Sequence, residues 1–145
     1  MQLQMTTDYA LRVLVYLAEQ NRVVPSTELA EMLVISHKYV LQIGRKLKEE
    51  QLVDTVAGSK GGYTLSRPPE EVSVYDVLVA MEGTIKFNRC LESDGFCSRH
   101  ATASCVVHHL FGEAQRDFED KMKSETLASL LAKSKNMDRK ERGRT

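Results

Sequence analysis

The chain has 145 residues, of which 42% are apolar, and its 20 basic and 20 acidic residues give a formal net charge of zero. That length is near the commonest size of a single domain and suffices for one modest core. A neutral chain has no general attraction for DNA or membranes, so nucleic-acid affinity must come from a local cluster of charge. We expect a cytoplasmic protein without membrane contact, because the sequence has no signal-peptide pattern and no stretch of transmembrane length.

Helical periodicity dominates the first fifty residues. Between residues 7 and 20, apolar side chains recur at spacings of three and four, which predicts an amphipathic helix capped by Thr6 or Thr7. Ser26 and Ser36 each precede another stretch with the helical period and are placed to cap it. We therefore expect three helices before the pattern changes.

The pattern changes to short strands after the third helix. Residues 52–56 and 63–65 favour β structure, and the segment between them, 57–62, contains three glycines. Three helices followed by a hairpin form the plan of a winged helix-turn-helix, in which the third helix enters the major groove of DNA. We predict a mainly α fold with a small β-hairpin wing, and a winged helix-turn-helix DNA-binding domain over residues 1–67.

The third predicted helix carries the local charge that the chain as a whole lacks. Four bases and no acid lie between His37 and Lys48. Side chains in the first turns of a groove-lying helix reach base edges, whereas later bases and the hairpin suit phosphates. The residues predicted to bind double-stranded operator DNA are Ser36, His37, Lys38, Tyr39, Gln42, Arg45, Lys46, Ser59 and Lys60. The alternative is a solvated helix end whose lysines are favoured by the helix dipole.

Two segments of different character follow the winged domain. Residues 68–83 predict a connecting helix that opens with a capping box between Ser73 and Asp76. Residues 84–104 have poor periodicity and predict a loop, which bears two of the three cysteines and is long enough to indicate a function.

The rest of the chain predicts a dimer interface and a tail. A long helix and a short C-terminal helix are expected over residues 105–132, and a disordered tail over 133–145. The long helix repeats an apolar residue at every fourth position, namely Val106, Leu110, Ala114, Phe118 and Met122. Because a monomer of this size has little left to cover that stripe, we expect a homodimer built on the long helix.

The cysteines Cys90, Cys97 and Cys105 fall within one window of sixteen residues. Thiolates are the ligands that iron–sulfur clusters require, and an irregular loop allows three of them to converge. His108 and His109 follow Cys105 by about one helical turn, so either could complete a set of four ligands. Two alternatives stay open: cysteines that are simply buried apolar residues, and a zinc site.

Several short motifs occur together with these cysteines. They are Thr7-Asp8-Tyr9-Ala10-Leu11-Arg12, Ile35-Ser36-x-Lys38-Tyr39, Gly61-Gly62-Tyr63 with Leu65, and Thr126-Leu127-Ala128-x-Leu130. In combination they resemble the Rrf2 family of bacterial regulators over roughly residues 1 to 132. The resemblance implies a dimer built on the long helix, with a cluster held by Cys90, Cys97 and Cys105 near the partner's DNA-binding domain.

The resemblance also offers two rival fourth ligands. Cys105-x-x-His108 is similar to the branch of the family that regulates iron–sulfur assembly, whereas Thr7-Asp8-Tyr9 is similar to the branch that senses nitric oxide. In the second branch the fourth ligand is an aspartate from the other subunit, which here corresponds to Asp8 of the partner subunit. The cysteine spacing leaves the cluster open between 2Fe-2S and 4Fe-4S.

These observations together predict a dimeric transcription regulator, acting as a repressor, whose DNA affinity depends on a cluster that senses nitric oxide, redox state or iron–sulfur status. Three thiolates and one weaker ligand leave one iron replaceable, which favours sensing. An enzyme is not expected, because no phosphate cradle and no set of nucleophile, base and acid occurs in the sequence. The alternatives are a cluster-free regulator controlled by thiols or a partner, and a metal-carrier or electron-transfer protein.

Overall fold

The computed structural model describes residues 2–144, which form six α-helices, one antiparallel hairpin and short 3-10 turns. The helices are α1 (Met5–Gln20), α2 (Ser26–Leu33), α3 (His37–Glu49), α4 (Val74–Glu82), α5 (Val106–Ser124) and α6 (Leu127–Arg142). The hairpin pairs β1 (Val53–Val56) with β2 (Gly62–Leu65). The predicted fold, mainly helical with a small β-hairpin wing, is confirmed.

The core lies where α1, α2, α3 and the hairpin meet, and α4 and α6 close it from the side of α1. Helices α1, α3 and α4 each bury the apolar face that their periodicity predicts, since residues three and four apart share a face. The largest fully buried side chains include Leu14, Leu17, Leu29, Ile43, Leu47, Leu52, Leu78 and Leu127. The first helix of the chain is therefore the central packing element.

The hairpin gains a third pairing partner at Val24, in the segment between α1 and α2. Val24 and Tyr63 exchange two backbone hydrogen bonds of 2.9 Å each. A Cβ atom on Gly62 would lie 2.1 Å from the Val24 carbonyl oxygen, so only glycine allows the strands this close approach. The wing is thus anchored to the segment that joins α1 and α2.

The connection between α4 and α6 is built on two capping boxes. Ser73 and Asp76 form the predicted box at the start of α4, and Thr126 and Ser129 form a second one at the start of α6. The residues Ser73 and Thr126 also pair as an antiparallel bridge, which brings the buried Leu127 against the core. The short C-terminal helix is therefore part of the folded unit.

The prediction of a disordered tail over 133–145 is wrong for residues 133–142, because α6 continues to Arg142. The segment is rich in lysine and arginine, which are good helix formers, and its first glycine is Gly143, where the helix ends. Lys133 also pairs with Glu125 just before α6. These residues are exposed, so local helix propensity rather than packing extends α6. Thr145 lies outside the described residues.

The prediction that Thr6 or Thr7 caps α1 is also wrong, since the helix begins at Met5, with Gln4 at the cap position, and includes both threonines. The backbone N–H of Gln4 and the hydroxyl of Thr7 both donate to the carboxylate of Glu82, which lies at the end of α4. A carboxylate at the start of a helix stabilises the helix through the free N–H groups and the helix dipole.

Within residues 2–144, none of the helices combines the length and apolar character needed to cross a bilayer.

Candidate nucleic-acid interface and cysteine site

Helix α3 presents one face to the core and the opposite face to solvent. Ser36 caps it by accepting a hydrogen bond of 3.1 Å from the backbone N–H of Tyr39, as the sequence predicts for this position. Val40, Ile43 and Leu47 are buried against the core. The residues predicted to bind DNA that lie exposed on this helix and its cap are Ser36, His37, Lys38, Gln42 and Arg45. The exposed face is therefore the polar and basic one.

Three predicted DNA-binding residues of α3 make contacts within the protein. The His37 Nε2 atom lies 2.7 Å from the Ser26 hydroxyl, which joins the starts of α2 and α3. Tyr39 is half-buried, and its hydroxyl lies 2.8 Å from the Thr6 hydroxyl on α1. Lys46 lies 3.7 Å from the Glu50 carboxylate. Tyr39 thus fastens α3 to α1, a role that no local sequence pattern indicates.

The wing extends this basic surface beyond α3. Ser59 and Lys60 are exposed at the hairpin tip, where the prediction placed them. The Lys48 ammonium donates a hydrogen bond of 2.9 Å to the Thr55 hydroxyl, linking α3 to β1. Gly44 approaches the Tyr63 ring so closely that an added Cβ would lie 2.5 Å from it. The helix and wing are therefore fixed relative to each other.

His108, in the first turn of α5, contacts Cys105 through its backbone and Cys90 through its side chain. Cys105 is the N-cap of α5, and its sulfur accepts a hydrogen bond of 3.5 Å from the backbone N–H of His108. The His108 Nδ1 atom lies 3.2 Å from the Cys90 sulfur. The other candidate, His109, instead contacts the carbonyl oxygen of Ala103 at 2.9 Å.

Cys97 stands in a different environment from the other two thiols. Backbone N–H groups, that of Ala101 first and that of Arg99 next, bond to its sulfur and lower the pKa of the thiol. Within residues 2–144, no three His, Cys, Asp or Glu side chains converge as a metal site. The structure therefore joins His108 to Cys90 through its side chain and to Cys105 through its backbone, and it does not gather the three cysteines into one site.

Side chains outside the predicted site hold the cysteine loop against α5. Gln115, which alone among the described residues of α5 is buried, accepts a bond of 2.8 Å from the Phe87 N–H and donates one of 3.1 Å to the Ile85 carbonyl. The Arg89 guanidinium bonds to Asp94 and lowers the pKa of that carboxyl group to about 2. In the sequence, the only indication of this role is that Gln115 is a polar residue within a helix of strong apolar periodicity.

Helix α5 leaves apolar side chains in solvent near the cysteines. Val106 is 80% exposed, Val107 52% and Leu110 61%, although each is a large hydrophobic residue. Asp8, the rival ligand, is also exposed and lies 3.2 Å from Arg12 on the next turn of α1. The described contacts of one protomer leave Asp8 and the first part of the apolar stripe accessible to a second copy, whereas Phe118 farther along the stripe is half-buried against Phe87.

A winged helix-turn-helix whose third helix presents a basic face defines the class of DNA-binding transcription regulators. The Rrf2 family profile, described as an iron-dependent transcriptional regulator, matches residues 3–133. The chain belongs to the Rrf2 family of transcriptional regulators. The family consists of regulators and not of enzymes.

Individual relatives agree with this assignment. A protein of Aquifex aeolicus (strain VF5), named as an HTH-type transcriptional regulator, is 29% identical over 127 residues, which cover 87% of this chain and 88% of the relative. The solved structure of T. potens IscR has a TM-score of 0.72 and 25% identity, and covers 92% of this chain and 88% of its own. CymR, named as the global cysteine regulator of B. subtilis, has a TM-score of 0.71 and 20% identity, with coverage of 91% and 97%. The likeness to CymR shows the fold alone.

Proposed function

We propose that the chain is a homodimeric repressor that acts in the cytoplasm and binds double-stranded operator DNA, under the control of an iron–sulfur cluster on Cys90, Cys97 and Cys105. The single observation that carries the proposal is the contact between His108 and Cys90 beside Cys105, at the start of a helix with an exposed apolar stripe. Sensing and dimerisation then share one structural element, α5.

The donor set fits an iron–sulfur cluster in its chemistry. Cys97 already has backbone N–H donors around its sulfur, and such hydrogen bonds stabilise thiolate ligands and tune a cluster. The His108 imidazole lies 3.2 Å from the Cys90 sulfur, and His108 follows Cys105 by three residues, which supports His108 over Asp8 of the partner subunit as the fourth ligand. A bound cluster, 2Fe-2S or 4Fe-4S, would supply a centre that responds to nitric oxide, oxidants or iron–sulfur supply.

The DNA-binding part of the proposal assigns roles by position on α3 and the wing. Lys38 and Gln42 protrude from the first turns, where side chains reach base edges in the major groove. Arg45 and Lys60 lie farther along the same surface and suit phosphate oxygens. Tyr39 supports this surface from the side of α1.

Dimerisation through α5 is tested by changing its exposed stripe. Leu110→Glu places a charge in the exposed part of the stripe, in the second turn of α5, and burying an unpaired charge strongly disfavours association. Sedimentation should show a monomer for Leu110→Glu and a dimer for Glu113→Gln, an exposed polar position on the same helix. The triple variant Cys90→Ala, Cys97→Ala, Cys105→Ala should remain dimeric, and a folded monomer would contradict the proposal.

Cluster binding is tested by anaerobic purification followed by measurement of iron, acid-labile sulfide and visible absorbance. The wild-type protein and the Ser93→Ala variant, an exposed change in the same loop, should contain iron and sulfide in equal amounts. Cys97→Ala should lose most of both, because it removes one of three thiolates. Equal iron content in Cys97→Ala and the wild type would contradict the ligand assignment.

A second candidate is a cluster-free regulator controlled by the Cys97 thiol. The lowered pKa of Cys97 favours it, because the thiolate is the reactive form of cysteine. The same purification distinguishes the two candidates. Protein that contains no iron, and whose DNA affinity changes on thiol modification in the wild type but not in Cys97→Ala, would establish the second candidate.

A further inference from the structure

The first turn of α1 contacts two other helices through neighbouring side chains. The Thr7 hydroxyl, which is fully buried, donates a hydrogen bond of 2.6 Å to the Glu82 carboxylate at the end of α4. The adjacent Thr6 hydroxyl lies 2.8 Å from the Tyr39 hydroxyl on α3. Glu82 also accepts the Gln4 N–H at 2.8 Å, so it caps α1 from outside the helix.

Tyr39 connects this turn to the exposed start of α3. Its backbone N–H donates to the Ser36 side chain at 3.1 Å, and its ring packs edge to face on Tyr9 with centroids 5.6 Å apart. Ser36 and Lys38 lie beside it on the face proposed to read DNA. The orientation of that face therefore depends on where Tyr39 is held.

Glu82 lies at the other end of this path, next to the cysteine loop. It is the last residue of α4, and Gly83 follows with a φ of 78°, a conformation that favours glycine and turns the chain into the loop. A helical turn is stiff, and packed elements transmit displacement rather than absorbing it. A shift of Glu82 thus moves Thr7 and, through Thr6, Tyr39.

We infer that Glu82 is a positioning residue for DNA reading, acting on α3 through Thr7, Thr6 and Tyr39. The inference rests on the proposed function in taking α3 as the helix that reads the operator. It goes further by connecting the beginning of the cysteine loop to that helix within one subunit.

A double-mutant cycle tests the connection, because no hydrogen bond or ring contact among the described residues joins Glu82 to Tyr39 directly, and the hydrogen bonds between them run through the first turn of α1. The proteins are the wild type, Glu82→Ala, Tyr39→Phe and the double variant. Fluorescence anisotropy measures their affinity for a duplex that the wild type selects from a random pool, and for a scrambled duplex of equal length. The readout is the ratio of the two affinities.

Each single variant should lower this ratio about fivefold, the change expected from one ordinary hydrogen bond. In the double variant the ratio should fall no further than in the single variant with the lower ratio. The affinity of all variants for the scrambled duplex should stay within about twofold of the wild type, since phosphate-facing Arg45 and Lys60 are unchanged. Glu82→Gln, which keeps an acceptor oxygen, should recover part of the ratio. Tyr16→Phe removes a comparable hydroxyl bond of 2.6 Å elsewhere on α1 and should match the wild type.

Independent losses that multiply to about twenty-five-fold in the double variant would overturn the inference, as would an unchanged ratio in Glu82→Ala. If Glu82→Ala melts too early to be measured, Thr7→Val replaces it in the cycle, because it removes one donor and preserves shape. Gln42→Ala serves as the reference for α3 itself. A ratio unchanged in Gln42→Ala counts against the proposed reading helix, whereas additivity in the cycle counts against the connection alone.

Discussion

Gly44→Ala and Gly112→Ala are the same substitution in two helices, and the structure predicts opposite effects on stability. Replacing a helical glycine by alanine stabilises a helix by about 1 kcal/mol when nothing opposes it. At Gly112 an added Cβ would lie 3.7 Å from Arg116 and 3.8 Å from Leu91, which is ordinary contact. At Gly44 it would lie 2.5 to 2.6 Å from three atoms of the Tyr63 ring.

The clash at Gly44 exceeds the gain in helix propensity. Tyr63 is buried and its backbone is paired with Val24, so the ring has little room to withdraw. Overpacking of this kind costs about 3 kcal/mol at the upper end of its usual range, which leaves a net destabilisation of about 2 kcal/mol. For a chain of this size that lowers Tm by about 7 °C, whereas Gly112→Ala should raise it by about 3 °C.

Thermal unfolding by circular dichroism at one fixed protein concentration measures both variants, because the stability of a dimer depends on concentration. Tyr63→Leu, which shortens the side chain that obstructs the new methyl group, should reduce the cost of Gly44→Ala in the same background. A rise in Tm for Gly44→Ala like that for Gly112→Ala would contradict the predicted clash, since the Tyr63 ring would then accommodate the methyl group freely.

Three further predictions concern DNA, the cluster and pH. Gln42→Ala should cost about 1–3 kcal/mol of discrimination at one base pair, whereas Arg45→Ala should weaken binding to all duplexes and reduce the salt slope by about 1; equal affinity profiles for both variants would contradict the roles assigned to α3. After anaerobic reconstitution, His108→Ala should lose the cluster faster under oxygen or nitric oxide, while Asp8→Ala behaves as the wild type; the reverse pattern would establish Asp8 of the partner subunit. The pKa of Glu125 is lowered to about 2 because Lys133, Ser129 and Lys121 bond to it. Because the pKa of Glu125 is lower in the folded than in the unfolded chain, its carboxylate contributes fully to folding stability above pH 4.5. This contribution is lost as the pH falls from 4.5 towards 2. Urea unfolding midpoints should therefore fall less over this window in Glu125→Gln than in the wild type, and parallel curves would exclude the contribution.

The elements that local sequence determines are those that the sequence predicts well. Ser36 and the Ser73 capping box act within four residues of themselves, and the spacing of Val40, Ile43 and Leu47 already defines the buried face of α3. The hairpin follows from strand-forming residues around a glycine-rich turn. These features need no knowledge of distant parts of the chain.

The features that the sequence did not predict depend on distant contacts or on opposing local preferences. Glu82 caps α1 from 75 residues away, so no local motif could indicate it. Residues 133–142 are highly charged, which suggested disorder, yet the same lysines and arginines favour a helix. The cysteine spacing predicted a shared site, but a loop without periodicity does not determine where its side chains lie, and no three of the candidate ligands converge among the described residues.

Control of DNA affinity by a cluster on the three cysteines can be tested in a single experiment. Operator affinity is first measured by fluorescence anisotropy for anaerobically purified protein. The cluster is then removed with a chelator and an oxidant, the thiols are reduced, and the affinity is measured again. Since allosteric couplings are typically worth about 1–3 kcal/mol, wild-type affinity should change by about five- to 150-fold, and Cys97→Ala should show no change. Identical affinities before and after complete loss of iron from the wild type would show that the cluster does not control DNA binding.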